Sequence, residues 1–330
     1  MSEPAQQPEN MQPQSQFPYR QFFRTIDLLA DLQAPKQERP WLDRVPEEVE
    51  EKEYLLYLGC NVLRTPALIQ TAAAVLTRMG VDFAAVGGPA NCCGIIHYGQ
   101  GDRPIATSIS SRTLGKLRSF RARQVLLWCP SCTHHFQEVL EGTVEIGFLY
   151  LHLTQFLSEN LHRLRFDREV PLRVALHHHT GFAQSDLDAA CTKKILAAIP
   201  GLRLVEVRNR RELGKSCLPG QRPDPYGGKW RELIGGILEE AREKGVDVLA
   251  TVYHSCQREL CAEERTYPFK VENYIQLVGR ALGIEHDDLY KSYLLLGDEG
   301  RVFEQARPTI EANSLDPEEA RDVIRRTFQR

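Results

Sequence analysis

The stretch VDFAAVGGPANCCG (residues 81–94) joins a short apolar run to a loop with two adjacent cysteines. The run VDFAAVG has the length and composition of a buried strand. Similar apolar runs occur at YLLYLG (54–59) and QVLLW (124–128), and segments with helical spacing separate the three runs. Because short apolar strands alternate with helices, the pattern predicts a parallel sheet covered by helices.

The same order of elements recurs in the second half of the chain. LRVALH (172–177), LRLVEV (202–207) and VDVLATV (246–252) are predicted strands, again with helical segments between them. This internal duplication predicts an α/β fold of two similar Rossmann-like lobes, each a small parallel sheet with flanking helices, plus helical N- and C-terminal extensions. The predicted parts are a disordered leader and helix (1–50), a first lobe with a cluster (51–165), a degenerate second lobe (166–300) and a helical tail (301–330).

Composition limits the classes of function. The chain has 330 residues, 42% of them hydrophobic, and a formal net charge of -3, which gives no basis for nucleic-acid binding. No apolar run approaches the roughly 18 residues needed to span a bilayer. The polar, Gln- and Pro-rich start (1–16) is typical of a disordered leader rather than a signal peptide. We therefore expect a cytoplasmic protein, in which nine cysteines indicate metal or redox chemistry rather than disulfides.

Five cysteines of the first half follow the ends of predicted strands. Parallel strands gather their carboxyl ends at one crevice, where the N-termini of the following helices favour anionic sulfur. Five thiolates exceed the four ligands of structural zinc and of a cubane iron–sulfur cluster. An irregular cluster with bridging thiolates would use them all. The candidate ligands are Cys60, Cys92, Cys93, Cys129 and Cys132.

The combination of Cys60, CCG (92–94) and CPSC (129–132) resembles the CCG domain found in the B-type subunit of heterodisulfide reductase. The resemblance implies that the five cysteines hold a non-cubane [4Fe-4S] cluster made of two fused two-iron units. It also implies an enzyme subunit that acts on thiol, disulfide or sulfur-carrier groups, with sulfur oxidation as a candidate role. The implied partners are other heterodisulfide reductase-like subunits, with cubane iron–sulfur and flavin cofactors, and a thiol, persulfide or sulfur-carrier substrate.

Two alternatives remain open at this point. One is a non-catalytic electron-relay or assembly subunit, and the other is the iron–sulfur subunit of a glycolate- or lactate-type oxidoreductase. Three histidines bear on the choice, because His97 follows the CCG loop and His134 and His135 follow CPSC. They are candidate proton donors beside the cluster, although histidines on the surface would give the same pattern.

The second lobe lacks most of the corresponding cysteines. When TVYHSC (251–256) is aligned with VLLWCPSC (125–132), Tyr253 takes the place of Cys129, and only two cysteines remain of five. A second cluster of the same kind is therefore not expected. The remaining donors predict either a four-coordinate zinc site or a vestigial pocket, and strand alternation allows at most two of the three consecutive histidines to face it. The candidate ligands are Cys217, Cys256, His254, His178 and His179, with Cys261 as a spare ligand and Cys191 assigned to the core.

Overall fold

The computed structural model describes residues 17–215, residue 217 and residues 230–329. The predicted leader (1–16) lies outside the described residues. The strands are β1 Tyr54–Gly59, β2 Phe83–Gly87, β3 Gln124–Leu127, β4 Leu149–His152, β5 Arg173–His177, β6 Arg203–Val205, β7 Val248–Thr251 and β8 Lys270–Asn273. The helices are α1 Tyr19–Asp31, α2 Pro66–Arg78, α3 Ile95–Gly99, α4 Arg103–Ser119, α5 Pro130–His135, α6 Leu153–Glu159, α7 Ala183–Ala197, α8 Trp230–Glu243, α9 His254–Leu260, α10 Tyr274–Ala281, α11 Leu289–Leu296, α12 Glu299–Ala312 and α13 Pro317–Phe328.

Two parallel four-stranded sheets share one topology. The first has the strand order β2-β1-β3-β4 and the second has the order β6-β5-β7-β8. All pairings within each sheet are parallel. The repeated order confirms the predicted α/β fold of two similar lobes, whereas the lobe boundaries at residues 165 and 300 stay predictions. In each sheet the strand order reverses between the two central strands, which opens a crevice at their carboxyl ends.

The central strands β1 and β7 consist of buried residues along their whole length. Every residue of β1 and of β7 is buried, as expected for parallel strands that are covered by helices on both faces. The edge strands β4 and β8 are different. Leu149 of β4 is 69% exposed, and β8 includes Lys270 and Glu272. An edge strand has a neighbouring strand on one side only, so it can include exposed or charged residues and need not be a continuous apolar run. The search for apolar runs in the sequence therefore missed both β4 and β8.

The N- and C-terminal extensions pack against each other. Helix α1 buries Ile26 and Leu29 on its inner face. Arg24 Nε of α1 donates to Glu319 Oε1 of α13 at 2.7 Å, and Asn313 Nδ2 donates to the Asp31 carbonyl at 2.7 Å. The two ends of the described chain thus form one helical layer beside the first lobe. Within the described residues, the helices are too short or too polar to cross a bilayer.

A buried polar network joins the two lobes. Asp188 of α7 accepts hydrogen bonds from Thr154 Oγ1 of the first lobe and from Tyr253 Oη of the second, each at 2.8 Å. His152 Nδ1 lies 3.2 Å from the Asp188 carboxylate, and both residues are at most 1% exposed. Burial lowers the pKa of His152, but the Asp188 charge more than offsets this, so the pKa lies above its usual value. The Asp188 carboxylate therefore favours the protonated form of His152 at the lobe interface.

Candidate metal centres

The five first-lobe cysteines meet at the crevice of the first sheet, and we call this group the cysteine site. Cys60 directly follows β1, Cys92 and Cys93 lie between β2 and α3, and Cys129 caps α5, whose first turn carries Cys132. Because β2, β1 and β3 are neighbours in the sheet, their carboxyl ends bring the three loops together. Each cysteine is between 1% and 3% exposed.

The thiols of the cysteine site form a connected series. Cys60 Sγ lies 3.9 Å from Cys92 Sγ. Cys93 interacts through hydrogen bonds with both Cys92 and Cys132, and Cys132 interacts in the same way with Cys129. The structure therefore brings together all five cysteines that the sequence assigned to one site.

Side chains of α4 hold the backbone of the CCG loop. Thr113 Oγ1 donates to the Cys92 carbonyl at 2.7 Å, and Ser110 Oγ donates to the Cys93 carbonyl at 2.8 Å. Gly94 has a φ of 96°, and its N–H donates to Cys92 Sγ at 3.4 Å. A Cβ at Gly94 would lie 2.6 Å from Ser110 Oγ. The third residue of the CCG motif must therefore be glycine, both for its backbone conformation and for this close approach.

A second glycine allows a sulfur atom to pack closely against the end of β1. Gly59 ends β1 with a φ of 63°, and a Cβ added there would lie 2.5 Å from Cys132 Sγ. Any side chain at this position would therefore occupy the space next to that thiol.

Two of the five thiols favour the anionic form. Hydrogen bonding from Cys60 holds the pKa of Cys92 well below its usual value. Hydrogen bonding from Cys132 does the same for the pKa of Cys129, and His254 contributes a further lowering. Because a thiolate is the form of cysteine that binds metals, the site is chemically suited to a metal cluster.

Two arginines lie next to Cys60. Arg64 Nε donates to Asn61 Oδ1 at 2.7 Å, and Arg258 Nη1 donates to the same oxygen at 3.3 Å. Burial, together with the charge of Arg258, lowers the pKa of Arg64 to about 10. Arg258 pairs with Glu259 at 3.2 Å, whereas Arg64 forms no salt bridge within the described part of the chain. The pair therefore leaves a net positive charge beside the thiolates.

The three candidate proton-transfer histidines differ in their surroundings. His97 is buried and stacks on Tyr19 of α1, with ring centroids 4.0 Å apart. His135 Nε2 lies 3.1 Å from Ser110 Oγ, and burial lowers the pKa of His135 to about 4. Burial also lowers the pKa of His97, although the charge of Cys92 opposes this. His134 instead faces outward, where its Nδ1 lies 3.0 Å from Glu138 Oε1.

A second group of metal-binding side chains lies at the crevice of the second sheet, and we call it the second-lobe site. Its members are His177, His179, Cys217 and Cys256, whose donor atoms all lie within 4.8 Å of one another. His177 ends β5, His179 follows it, and Cys256 lies in the first turn of α9 after β7. All four residues are at most 1% exposed.

Two of the predicted zinc ligands lie elsewhere. The structure places His177 in the second-lobe site rather than His178, whose backbone N–H donates to Asn209 Oδ1 at 2.9 Å. His254 lies close enough to Cys129 to lower the pKa of that thiol, and so belongs to the surroundings of the cysteine site. Cys261, the predicted spare ligand, donates to the Arg258 carbonyl at 3.5 Å. Cys191 of α7 is half-buried.

Sequence reasoning also missed residues around both sites. Alternation along a strand puts His177 and His179 on the same face. Once His179 is taken as a ligand, this rule selects His177 rather than His178 as the second histidine. Arg64 and Arg258 had no signal in the sequence, because they come together only when the lobes pack. The replacement of Cys129 by Tyr253 was visible, but the partner of the tyrosine, Asp188, was not.

Comparison with known families identifies the segment that contains the cysteine site. Residues 54–137 match the family model described as CCG, cysteine-rich domain. This segment covers β1 to α5 and includes all five cysteines of the cysteine site. The second-lobe site lies outside the matched residues.

Known proteins with similar sequences include oxidoreductase subunits. The chain is 26% identical over 266 residues to the D-type subunit of the dihydromethanophenazine:CoB–CoM heterodisulfide reductase of Methanosarcina barkeri, covering 76% of this chain and 64% of the relative. It is 23% identical over 193 residues to the probable iron-sulfur-binding oxidoreductase FadF of Bacillus subtilis, covering 57% of this chain and 27% of the relative. The chain therefore spans less than two thirds of the length of these curated relatives.

Among solved structures, a hypothetical protein from Helicobacter pylori has a TM-score of 0.48 at 12% identity, covering 85% of this chain and 57% of that chain. The sequence comparisons carry more information. They relate the chain to a heterodisulfide reductase subunit and to a probable iron-sulfur-binding oxidoreductase, and the family model places a cysteine-rich domain at residues 54–137.

Proposed function

We propose that this protein is the iron–sulfur subunit of a heterodisulfide reductase-like complex, with a role like that of the B-type subunit. In this proposal the cysteine site holds one non-cubane [4Fe-4S] cluster that acts on thiol, disulfide or sulfur-carrier groups. The observation that carries the proposal is the convergence of five buried thiols, from three adjacent strand ends, on one crevice. The similarity to part of a heterodisulfide reductase supports the choice of substrate class.

The residues fit such a cluster better than a simpler metal centre. Five connected thiols exceed the four ligands of tetrahedral zinc or of a cubane cluster. A Cβ at Gly59 would lie 2.5 Å from Cys132 Sγ, so glycine at this position is what allows that thiol to pack against the end of β1. When bound, a non-cubane cluster would supply single electrons and an iron that a substrate sulfur can approach.

The protein's own residues have separate roles in this proposal. The Gly94 N–H donates to Cys92 Sγ and stabilises negative charge on that sulfur. Arg64, which is half-buried, contributes a positive charge next to Cys60. His97 and His135 are the candidate proton-transfer groups. Because burial lowers the pKa of both, they would be neutral at pH 7, so each would act as a neutral hydrogen-bonding group rather than as the charged proton donor that the sequence suggested.

The second lobe argues against cleavage of a heterodisulfide by two equivalent clusters. Its crevice contains two thiols and two imidazoles, which is too few sulfur atoms for a second cluster of this kind. A sulfur-oxidising or carrier-linked reaction with one cluster is therefore the version that we favour. Turnover would need partner subunits with cubane iron–sulfur and flavin cofactors, and we propose that the complex is cytoplasmic.

One observation favours a second candidate, an electron-relay protein without its own substrate. All five thiols are at most 3% exposed, and α1 covers His97 through Tyr19. A sealed cluster would transfer electrons but admit no thiol. Accessibility to a small thiol separates the two candidates.

The test is anaerobic reconstitution with iron and sulfide, followed by electron paramagnetic resonance of the oxidised protein. We expect about four irons per chain and a new paramagnetic signal on addition of 2-mercaptoethanol, with broadening when the thiol carries a magnetic sulfur isotope. Ethylene glycol, which has a hydroxyl in place of the thiol, is the matched control. A cluster that exchanges electrons with a dye but gives the same signal with and without thiol would instead support the relay role.

A charge substitution tests the role of Arg64. Replacing Arg64 with methionine keeps the apolar contacts of the side chain but removes a positive charge beside the cluster. Because positive charge stabilises the more negative, reduced state, the reduction potential should fall by on the order of 40 mV, or about 1 kcal/mol for a one-electron step. Redox titration measures this shift. Arg78→Met, at the other end of α2 and exposed, should leave the potential within a few millivolts of the parent.

A further inference from the structure

The second-lobe site has the composition of a closed metal site. Two imidazole nitrogens and two thiol sulfurs face one another, and all four residues are at most 1% exposed. They come from the end of β5 and the residue two positions after it, from Cys217, and from the first turn of α9. Burying four such groups is unfavourable unless each has a partner, so their convergence on one point needs an explanation.

The distances fit a single ion at the centre. His177 Nε2 lies 3.0 Å from Cys217 Sγ, and His179 Nε2 lies 3.3 Å from Cys256 Sγ and 3.5 Å from Cys217 Sγ. In a tetrahedral zinc site with Zn–N near 2.05 Å and Zn–S near 2.3 Å, each nitrogen–sulfur edge is about 3.5 Å. The observed separations therefore correspond to ligands of one ion, with only small movements needed.

We propose that His177, His179, Cys217 and Cys256 bind one Zn²⁺ ion in a closed, structural site. Two thiolates and two neutral imidazoles would give the complex zero net charge, which lowers the cost of burying the ion. The inference depends on these four residues alone and does not depend on the function proposed for the cysteine site.

The orientation of the two imidazole rings agrees with metal binding. His177 Nδ1 and His179 Nδ1 are buried and have no hydrogen-bond partner among the residues that the structure describes. Each Nε2 therefore faces the sulfurs, and each Nδ1 points away from the proposed ion.

Other metal centres fit less well. A two-iron cluster with two histidines and two cysteines binds the histidines to one iron and the cysteines to the other. The histidine nitrogens would then lie farther from the cysteine sulfurs, because the two iron atoms stand between them. Nitrogen–sulfur contacts of 3.0–3.5 Å leave no space for this. A catalytic zinc keeps an open position for water, whereas four protein ligands here fill the tetrahedron.

The ion would fasten α9 and Cys217 to the second sheet. The first turn of α9 also contains His254, which lies near Cys129 of the cysteine site and lowers the pKa of that thiol. The zinc ion would therefore hold in place a helix that reaches from one site to the other. Loss of zinc should destabilise the second lobe, and iron in the cysteine site should remain because it uses different ligands.

The first test is the metal content of the full-length protein, purified without a histidine tag from zinc-supplemented medium. We expect about one zinc per chain in the parent and less than roughly a fifth of that in His177→Ala and Cys256→Ser. His178→Ala is the matched control because it lies next to His177 but outside the site, and it should keep its zinc. Cys93→Ser should also keep it, which excludes zinc bound in the cysteine site.

The second test does not depend on the folding of a variant. The parent is stripped with a chelator and titrated with cobalt(II), which reports tetrahedral thiolate ligation through intense visible bands and sulfur-to-cobalt charge transfer. We expect one equivalent of cobalt to produce these bands and one equivalent of zinc to remove them. Chelation should also lower the Tm by about 5–10 °C, and added zinc should restore it.

Three results would overturn the proposal. The first is less than about a tenth of an equivalent of zinc in the parent, even after incubation with excess zinc, and the second is an equal zinc content in His177→Ala and His178→Ala. The third is that Cys256→Ser loses iron, rather than zinc, relative to the parent. None of these results bears on the cluster proposed for the cysteine site, because that site shares no ligand with this one.

Discussion

Cys93→Ser should lower the iron content of the reconstituted protein from about four atoms per chain to roughly one or fewer. Cys93 lies at the centre of the connected series of thiols and interacts with both Cys92 and Cys132. It is 1% exposed, so water could not reach the position to replace the lost sulfur ligand. Iron analysis and electron paramagnetic resonance measure the effect directly.

The matched control for this variant is Cys191→Ser. Cys191 lies half-buried on α7, outside both groups of metal-binding residues, and its replacement should leave iron and spectrum unchanged. Circular dichroism of both variants shows whether the fold is retained. Parent-like iron and an identical spectrum in Cys93→Ser would remove this residue from the cysteine site.

Asp188→Ala should lower the free energy of unfolding by about 3–5 kcal/mol, the usual cost of breaking a buried ion pair. The substitution removes the hydrogen-bond acceptor of Thr154 Oγ1 and Tyr253 Oη and leaves His152 without its counter-ion in the interior. Because these groups belong to both lobes, the loss should weaken the interface between them. Urea unfolding followed by circular dichroism gives the value.

Asp186→Ala, on the same helix, is the control. Asp186 is exposed and accepts a hydrogen bond from the Gly181 N–H, so its loss should cost about 1 kcal/mol or less. If Asp188→Ala proved no more destabilising than this control, the buried network would contribute little to the lobe interface.

The fold and the cysteine site could be predicted because their signals are local in the sequence. A strand buried on both faces, such as β1, needs a continuous apolar run, and that run marks its position and its end. Cys60 and Cys129 directly follow such runs, and parallel pairing then brings the strand ends together. The absence of most cysteines from the second lobe was equally visible, since Tyr253 stands where Cys129 would be expected.

The second-lobe ligands depended on finer geometry. Three consecutive histidines begin at the last residue of β5, and composition alone does not distinguish them. The side chains of His177 and His179 point to one face and that of His178 to the other, because side chains alternate along an extended backbone. This rule was available from the sequence, but only the position of Cys217 and Cys256 in the structure identified which face is the metal-binding one.

Contacts between the lobes could be known only from the tertiary structure. His254 follows β7, yet its side chain reaches Cys129, and Arg258 meets Asn61 beside Cys60. Asp188 joins residues 34 and 65 positions away along the chain. Apolar periodicity specifies which face of each element is buried, but the side chains that meet across an interface depend on how the two lobes dock, which no local pattern encodes.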